Sequence, residues 1–352
     1  MNFKEFSESE RKIITNHLRQ YLGFKKEENL PAIFKEQKLI DSLKDFALRG
    51  KLIRGTLFLF ASKMFGEKES KELLDIACAI ELMHSSLLIQ DDIIDRDRTR
   101  RGTKTIFAKY EEDGKKIKAI DPYHYGISTA IMAADVAFFF AIDLISNYKN
   151  SELSKLLKYY SHEIYLVALA ESADSIFGQT AKDPDMEEIY AVYRHKTARY
   201  TFSLPFEMAA IVAKVDDTTR KNLKELGEHA GIIFQLKDDE LGLFGEEELI
   251  GKPVGSDVRE NKKTLIRYLL YKRANDVDKK ALNTCFGNPK AGENELIVVK
   301  ALYEKYGIKN KINDEIKTLM ERIWVLFEKL DFDQTYKEIL KSLLEFNLQR
   351  SA

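Results

Sequence analysis

The stretch DDIIDRDRTRRG, from Asp91 to Gly102, combines paired carboxylates with two closely following arginines. On a helix, Asp91 and Asp95 share one face and Asp92 flanks them. Oxygen ligands without Cys or His suit Mg²⁺, which typically bridges carboxylates to substrate phosphates. The arginines that supply bidentate donors for phosphate oxygens are Arg100 and Arg101. The stretch predicts a helix end that binds a magnesium-bound polyanion.

A second acidic cluster strengthens this prediction, because one cluster alone is more often a solvated helix end. It lies in FQLKDDELG, Phe234–Gly242, and repeats the paired carboxylates as Asp238 and Asp239. Apolar residues precede both clusters at helical spacing, so both acidic ends are expected on buried helices. Buried helices do not expose unpaired carboxylates without reason. The two clusters would face one another if their helices are antiparallel neighbours that line a common cavity.

The residue pattern predicts an all-α protein. The 352 residues include only six prolines and 17 glycines, and apolar residues recur at three- and four-residue steps. We expect one domain, residues 1–352, built as a bundle of roughly ten or more mostly antiparallel helices around a deep central cavity. No fixed-period repeat or low-complexity tract divides the sequence.

Composition excludes several classes of function. The chain has 56 basic and 57 acidic residues and a net charge of -1, which gives no global field for nucleic acid. Cys78 and Cys285 lack CxxC spacing, so neither a disulfide nor a thiolate metal site is expected. The N-terminal residues are charged, and the best apolar run, Val136–Ile142, is far below the ~20 residues of a membrane span. We expect a soluble cytoplasmic protein without a transmembrane segment.

The two aspartate motifs belong to a longer ordered set that resembles the trans-type isoprenyl diphosphate synthases, or polyprenyl synthetases. The further matching segments are, in order, Gly50–Arg54, Glu81–His84, Arg100–Gly102, Gly178-Gln179, Lys196–Ala198, Phe234-Gln235, Gly251-Lys252 and Asn261–Thr264. One motif would be weak, but the ordered set is highly specific. The resemblance implies the isoprenoid synthase fold and a homodimer, and the chain looks like geranylgeranyl diphosphate synthase-type members.

The resemblance also implies a reaction. Isopentenyl diphosphate condenses head to tail with an allylic diphosphate (dimethylallyl, geranyl or farnesyl), through ionisation, bond formation and proton loss. The product is a trans-polyprenyl diphosphate, geranylgeranyl or longer. The implied cofactor is Mg²⁺, with about three ions per site when substrate is bound.

Residues are assigned to these roles only where they match the family's motifs. The implied metal ligands are Asp91, Asp92, Asp95, Asp238 and Asp239, and these with Lys196 form the catalytic set. The implied isopentenyl diphosphate site consists of Lys51, Arg54, His84 and Arg101. The other implied substrate-binding residues are Arg100, Gln179, Lys196, Thr197, Gln235, Lys252 and Lys262.

Three residues before the first motif are candidates for setting product length. A helix turn rises ~5.4 Å, close to the length of one prenyl unit, so each turn can act as a floor at a different depth. Family members that stop early place an aromatic residue four or five positions before the first aspartate, where this chain has Leu87 and Ser86. Met83, one turn earlier, is deformable. We expect at least a geranylgeranyl product unless an aromatic of Phe138–Phe140 blocks the cavity.

Two positions depart from the family pattern. The aspartate usually found three residues after Gln179 is replaced by Lys182, and Asp183 follows it. Either Asp183 partly substitutes as a metal ligand while Lys182 contacts phosphate, or the metal site is weakened. Gly242 replaces the second motif's last aspartate, a form that short-chain and archaeal-type members often show.

Two other functions remain as alternatives. One is a non-catalytic or modifying subunit of a heteromeric prenyl synthase, for which Lys182 is the only hint. The other is a terpene cyclase, although cyclases normally carry an Asn/Ser/Glu metal triad in place of the second acidic motif.

Three local expectations concern the helices. A first helix is predicted to open at about Ser7 and to close at Gly23. Residues 111–126 are predicted to form an interhelical loop, which could be a lid, a partner contact or, as we favour, a neutral insertion. Tyr190–Pro205 is predicted to be an amphipathic helix that Pro205 kinks or breaks.

Overall fold

The structure is a computed structural model that describes residues 2–28, 31–33, 38–245 and 254–349. Within these ranges the regular structure is helical apart from two paired two-residue strands, which confirms the all-α prediction. The chain groups into two compact units. Unit 1 comprises Met1–Leu157 with Met208–Lys214, and unit 2 comprises Lys158–Glu207 with Val215–Ala352.

The first part of unit 1 contains six helices and the strand pair among its described residues. These elements are α1 Phe3–Glu27, α2 Leu39–Leu48, α3 Ile53–Met64, α4 Lys71–Ile94, β1 Thr99–Arg100, β2 Thr103–Lys104, α5 Ile106–Lys116 and α6 Pro122–Ser146. Helix α1 begins earlier than predicted because Asn2 and Glu5 form a reciprocal capping box. It also continues through Gly23, which ordinary helices tolerate at modest cost.

The core of unit 1 is built on α4, which packs against α3 and α6. Ser70 caps α4 by accepting a hydrogen bond from the amide of Leu73. Gly55 lets α3 approach α4 closely, since a Cβ at this position would lie 2.9 Å from the carbonyl oxygen of Ala77. This close crossing sets the start of α3 beside the middle of α4.

The predicted loop over residues 111–126 is wrong. Helix α5 continues to Lys116, and α6 already begins at Pro122 behind the N-cap Asp121. The loop was predicted because Gly114 and Pro122 interrupt a polar stretch, but Gly114 and Gly126 are contact points between these two helices. A Cβ on Gly114 would lie 3.1 Å from the Cα of Pro122, and one on Gly126 would lie 2.5 Å from a backbone oxygen of α5. Residues 117–121 are thus the whole connection between the two helices.

Helix α6 alone among the described helices is long and apolar enough to span a membrane, a test that core helices of soluble proteins also pass. It turns small residues inward: Ala130, Ala133, Ala134, Ala137 and Ala141 are buried. Large apolar side chains face outward instead, with Met132 51% and Phe139 67% exposed. This distribution leaves an apolar face on α6.

The remaining helices follow in chain order. They are α7 Leu153–Gln179, α8 Met186–Val192, a π-helix Tyr193–Ser203, α9 Leu204–Val212, α10 Asp217–Phe244, α11 Ser256–Arg259, α12 Leu265–Arg273, α13 Asp276–Cys285, α14 Glu293–Lys305, α15 Ile308–Glu328 and α16 Gln334–Gln349. In unit 2, α10 packs against the π-helix and against α15.

Pro205 was predicted to kink or break its helix, and the structure shows no break there. The helical path runs from α8 through the π-helix into α9 without interruption. A π-helix shifts its hydrogen bonds to wider spacing, so a residue without an N–H is accommodated just after it. Long π-helices are rare, and shorter ones concentrate at functional sites.

Candidate active site

The first aspartate motif closes α4. Asp91 and Asp92 lie in its last turn, and Asp95 is its C-cap, with its amide 2.8 Å from the carbonyl oxygen of Asp91. The Arg100 guanidinium donates to Asp91 at 2.7 Å and to Asp92 at 2.5 Å. Burial by itself lowers the pKa of Arg100, but these carboxylates outweigh it and raise that pKa. Arg100 is therefore a fixed cation against the motif.

A tight hairpin returns Arg100 to the motif. Thr99 pairs with Lys104 across the two strands, and the turn residues Arg101 and Gly102 have φ of 53° and 71°. Two positive φ values in a two-residue turn match the twist of a hairpin, and glycine adopts them without strain. The arginine pair thus diverges: Arg100 faces the carboxylates, and Arg101 is exposed.

Arg101 belongs to a second, basic cluster in unit 1. A Cβ on Gly50 would lie 3.4 Å from its Nη1. Below the cluster, buried Glu81 accepts a 2.7 Å hydrogen bond from the amide of Gly55 at the start of α3. Burial raises the pKa of Glu81, although the Gly55 amide and the charges of Arg54 and Arg101 oppose it.

His84 lies on α4 within the field of the same arginines. Burial, followed by the charges of Arg54 and Arg101, lowers the pKa of His84 well below its usual value. The neutral imidazole adds a hydrogen-bonding group to the cluster without adding charge. The structure brings Arg54, His84 and Arg101 together. Lys51 lies two residues before α3, just ahead of its N-cap Leu52, and is exposed to solvent.

The second aspartate motif, on α10, presents its two carboxylates differently. Asp238 is exposed, whereas Asp239 is only 3% exposed. Gln235 donates to Asp239 at 2.8 Å, Tyr193 donates to it as well, and Thr197 donates to Gln235 at 2.7 Å. Burial, together with the charge of nearby Asp257, raises the pKa of Asp239 well above its usual value.

Lys196, on the π-helix, meets two carboxylates of α7. Its Nζ lies 3.0 Å from Glu171 and 2.6 Å from Asp174. The sequence reasoning missed this acidic pair, although its i, i+3 spacing one turn before Gly178 was a usable signal. Like Arg100, Lys196 is held by two acidic groups.

The end of α7 is tied to the turn that carries Lys262. Asn261 donates its side-chain amide to the carbonyl oxygen of Gly178 at 3.2 Å, which sets this turn beside Gln179. Lys262 lies 3.2 Å from Glu260, with its side chain 21% exposed. The predicted substrate residue Lys252 falls outside the described residues.

Asp183 does not stand free as a replacement metal ligand. Its Oδ1 accepts from Lys263 at 2.8 Å and from Arg267 at 2.6 Å. Burial pushes the pKa of Asp183 upward, but the hydrogen bonds from both cations outweigh it and the pKa is lowered. Lys182 is exposed beside it.

Asp257 is a further carboxylate that the sequence reasoning overlooked. Its Oδ2 lies 3.0 Å from the position of a Cβ on Gly242, where many members of the resembled family carry an aspartate. The glycine therefore leaves room for a carboxylate supplied by α11. The segment SDVRE, between Gly255 and the NKKT motif, was the available signal.

The donor sets fit a divalent magnesium ion in chemistry. Each motif offers carboxylate oxygens, and Arg100 shows that a cation is stabilised against the first pair. Within residues 2–28, 31–33, 38–245 and 254–349, no three His, Cys, Asp or Glu side chains converge closely enough to hold a metal ion by themselves. Magnesium in proteins typically combines one or two carboxylates with waters and substrate phosphates.

The three predicted length-determining residues lie on α4 one to two turns before the first motif. Met83 and Ser86 are buried, at 1% and 2% exposure, and Leu87 is partly buried. Of the aromatic run on α6, Phe138 and Phe139 are exposed, and Phe140 packs edge-on against Tyr21 with ring centroids 5.7 Å apart.

Comparisons with known proteins identify the family of this chain. The polyprenyl synthetase family model matches residues 36–306. A short chain isoprenyl diphosphate synthase of Methanocaldococcus jannaschii is 32% identical over 264 residues, 74% of this chain and 75% of that protein. A geranylgeranyl diphosphate synthase of Sulfolobus acidocaldarius is 28% identical over 87% of this chain and 88% of its own length.

A solved structure agrees as well. Geranylgeranyl pyrophosphate synthase from Corynebacterium glutamicum, complexed with isoprenyl diphosphate and magnesium, superposes with a TM-score of 0.90 at 25% identity, covering 99% of this chain and 100% of that one. The family match covers most of the sequence, and the aspartate-rich helix ends and clustered cations are consistent with it. The chain belongs to the polyprenyl synthetase family of trans-isoprenyl diphosphate synthases, which are prenyltransferases.

Proposed function

We propose that this chain condenses isopentenyl diphosphate with dimethylallyl, geranyl or farnesyl diphosphate and releases geranylgeranyl diphosphate or a longer trans-polyprenyl diphosphate. One observation in unit 1 carries the proposal. Helix α4 holds a cation cluster around His84 and, seven residues further on, the carboxylates of Asp91 and Asp92. At 1.5 Å rise per residue these two sites are about 10 Å apart along the helix. Two diphosphates of different binding chemistry can thus be held as neighbours.

The cation cluster suits isopentenyl diphosphate, which does not ionise and needs no metal to leave. Arg54 and Arg101 supply bidentate donors, and neutral His84 donates or accepts one hydrogen bond. We assign the exposed Lys51 to the same substrate. Buried Glu81 accepts a hydrogen bond from the amide of Gly55 and so fixes the start of α3 next to the cluster.

The carboxylate motifs suit the allylic diphosphate. Magnesium ions, when bound, neutralise the charge that develops on the departing diphosphate. We assign them, about three per site, to the aspartates of both motifs. The carboxylates assigned are Asp91, Asp92, Asp95, Asp238 and Asp239, of which Asp238 is exposed and Asp239 is buried.

The cations around these motifs bind the phosphate oxygens. Arg100 and Lys196 each contact two carboxylates. Substrate binding exchanges part of these ion pairs for phosphate contacts, and Gln179, Thr197, Gln235, Lys252 and Lys262 complete the set. After the carbon–carbon bond forms, the departing diphosphate accepts the acidic proton of the resulting cation, so no strong protein base is required.

The site residues favour a geranylgeranyl or longer product. Met83, Ser86 and Leu87 place no aromatic ring before the first motif. The exposed rings of Phe138 and Phe139 point away from the interior of unit 1, which supports an open floor.

We further propose that the chain forms one synthase domain and works as a cytoplasmic homodimer. The family match over residues 36–306 includes parts of both compact units. The exposed apolar side chains of α6 support self-association, because clustered apolar side chains on a surface often mark an interaction site.

Product analysis tests the proposed function. Purified protein is incubated with labelled isopentenyl diphosphate, each allylic primer in turn, and Mg²⁺, and the dephosphorylated products are separated by chain length. We expect twenty-carbon or longer alcohols and no product in excess chelator. Cyclic hydrocarbons would instead indicate a cyclase, and absence of product with every primer would indicate a modifying subunit.

A further inference from the structure

One face of α10 carries small and polar residues at strict four-residue intervals: Gly227, Gly231, Gln235 and Asp239. Positions four apart lie on one side of a helix. A Cβ on Gly231 would lie 2.3 Å from the Cα of Ala198, so α10 and the π-helix are in backbone contact. This close approach brings the polar end of the face within hydrogen-bonding reach of the π-helix.

A directed chain of hydrogen bonds forms there. Thr197 donates to Gln235 at 2.7 Å, and Gln235 donates through its Nε2 to Oδ1 of Asp239 at 2.8 Å. The Tyr193 hydroxyl donates to Oδ2 of Asp239 and accepts from the amide of Leu265 at 2.8 Å. Both oxygens of Asp239 are engaged, and the Tyr193 hydroxyl bridges Asp239 and the amide of Leu265.

We propose that Tyr193 is a positioning residue for the diphosphate site, acting through Asp239 and Leu265. This inference rests on the proposed prenyl transfer. Tyr193 is 6% exposed, so it positions other groups and does not contact substrate. Through Asp239 it orients the end of α10 so that Asp238 faces the solvent.

The contact with Leu265 extends this role to the basic turn. Leu265 begins α12 directly after Lys262, Lys263 and Thr264. A buried amide that loses its acceptor is costly, so the position of this helix start depends on the Tyr193 hydroxyl. One hydroxyl therefore couples the aspartate motif to the lysine that is proposed to bind phosphate.

Tyr193→Phe removes the hydroxyl and keeps the ring. We expect hydrogen exchange at the Leu265 amide to accelerate about tenfold or more, since its acceptor is gone. Calorimetry with inorganic diphosphate at several Mg²⁺ concentrations should show binding weakened by about tenfold and a higher magnesium requirement. Circular dichroism and thermal unfolding check that the variant is folded.

Tyr190→Phe is the matched control, because Tyr190 lies one turn earlier, its ring centroid is 6.2 Å from that of Tyr193, and its hydroxyl bonds to Glu315. It should leave diphosphate binding and exchange at Leu265 as in the parent protein. Asp239→Asn provides a double-mutant cycle: if Tyr193 acts through Asp239, adding Tyr193→Phe to this variant weakens binding much less than in the parent.

Parent-like diphosphate affinity and magnesium dependence in Tyr193→Phe would overturn the inference, as would full additivity with Asp239→Asn. Failure of the proposed function shows itself separately, as absence of prenyl transfer by the parent protein. Diphosphate binding and amide exchange are measured without turnover, so the two failures are distinguishable.

Discussion

At the scale of single residues, adjacent carboxylates in one motif have different surroundings. Asp238 is exposed and Asp239 is buried, while Asp91 and Asp92 share the Arg100 guanidinium. The residue types and their spacing were readable in the sequence. The sequence did not reveal which carboxylate faces solvent, because that depends on the hydrogen bonds of Asp239. These come from Tyr193 on the π-helix and from Gln235 one turn earlier on α10.

One carboxylate from each motif, Asp91 and Asp238, should be essential for turnover. Asp91→Ala or Asp238→Ala removes a group proposed to neutralise the leaving diphosphate, and we expect a loss of about 100-fold or more in kcat with the helical content intact. Asp217→Ala is the control, since its side chain on the same helix α10 is 96% exposed and far from the motif in sequence. Parent-like turnover in either motif variant, or activity that persists in excess chelator, would refute the metal role.

His84 should make the fold less stable in acid. Burial and the charges of Arg54 and Arg101 lower its pKa in the folded chain. Below the ordinary histidine pKa of about 6.5, the unfolded chain binds a proton at His84 that the folded chain does not bind. The free energy of unfolding therefore decreases as the pH is lowered. Between about pH 7 and about pH 5.5, the Tm of the parent protein should therefore decrease by more than the Tm of His84→Gln. Parallel curves of Tm against pH for the two proteins would contradict this expectation.

Ser86 should set the depth available to the growing product. It is 2% exposed on α4, and Ser86→Phe would place a ring about one turn before the first motif. We expect a main product shorter by roughly one or more isoprene units. Product length, unlike rate, does not depend on the fraction of folded protein. If Ser86→Phe is unstable, Leu87→Phe provides the same test. An unchanged product distribution from both variants would disprove this floor.

At the scale of elements, glycines misled the sequence reasoning in a specific way. Gly114 suggested a loop, yet it lies inside α5 where that helix touches α6. Local sequence reports that a glycine is permissive, whereas the structure shows whether a turn or a neighbouring backbone requires it. The same limit hid the π-helix, whose hydrogen bonds depend on its packing against α10. The hydrophobic periodicity of α4 and α10 was predicted correctly because burial determines it directly.

The contact between α10 and the π-helix should be intolerant of a single methyl group. A Cβ on Gly231 would lie 2.3 Å from the Cα of Ala198, a backbone neighbour that cannot simply rotate away. Gly231→Ala should lower the free energy of unfolding by about 1–3 kcal/mol and reduce activity, since Thr197 and Gln235 are displaced. Chemical denaturation measures the first effect, and steady-state kinetics measures the second.

Gly23→Ala is its control. A Cβ on Gly23 in α1 would have nothing within 4 Å, so the substitution should stabilise the helix by about 0.5–1 kcal/mol. If both glycine variants were equally stable, the backbone contact at Gly231 would not be the constraint inferred here.

At the scale of the whole molecule, α6 predicts the assembly state. It buries alanines against its own unit while Ile131, Met132, Phe138 and Phe139 are 37–67% exposed. A second copy of the chain can cover this face on both partners at once, which a two-fold dimer achieves. Light scattering should give about twice the monomer mass of 40.7 kDa.

The double variant Met132→Glu with Phe139→Glu should shift the measured mass to that of the monomer, because unpaired charges would be buried in the interface. Val277→Glu, at a side chain 75% exposed on α13, should leave the dimer intact. A monomeric parent protein at micromolar concentration, or a double variant that stays dimeric, would show that α6 is not the interface.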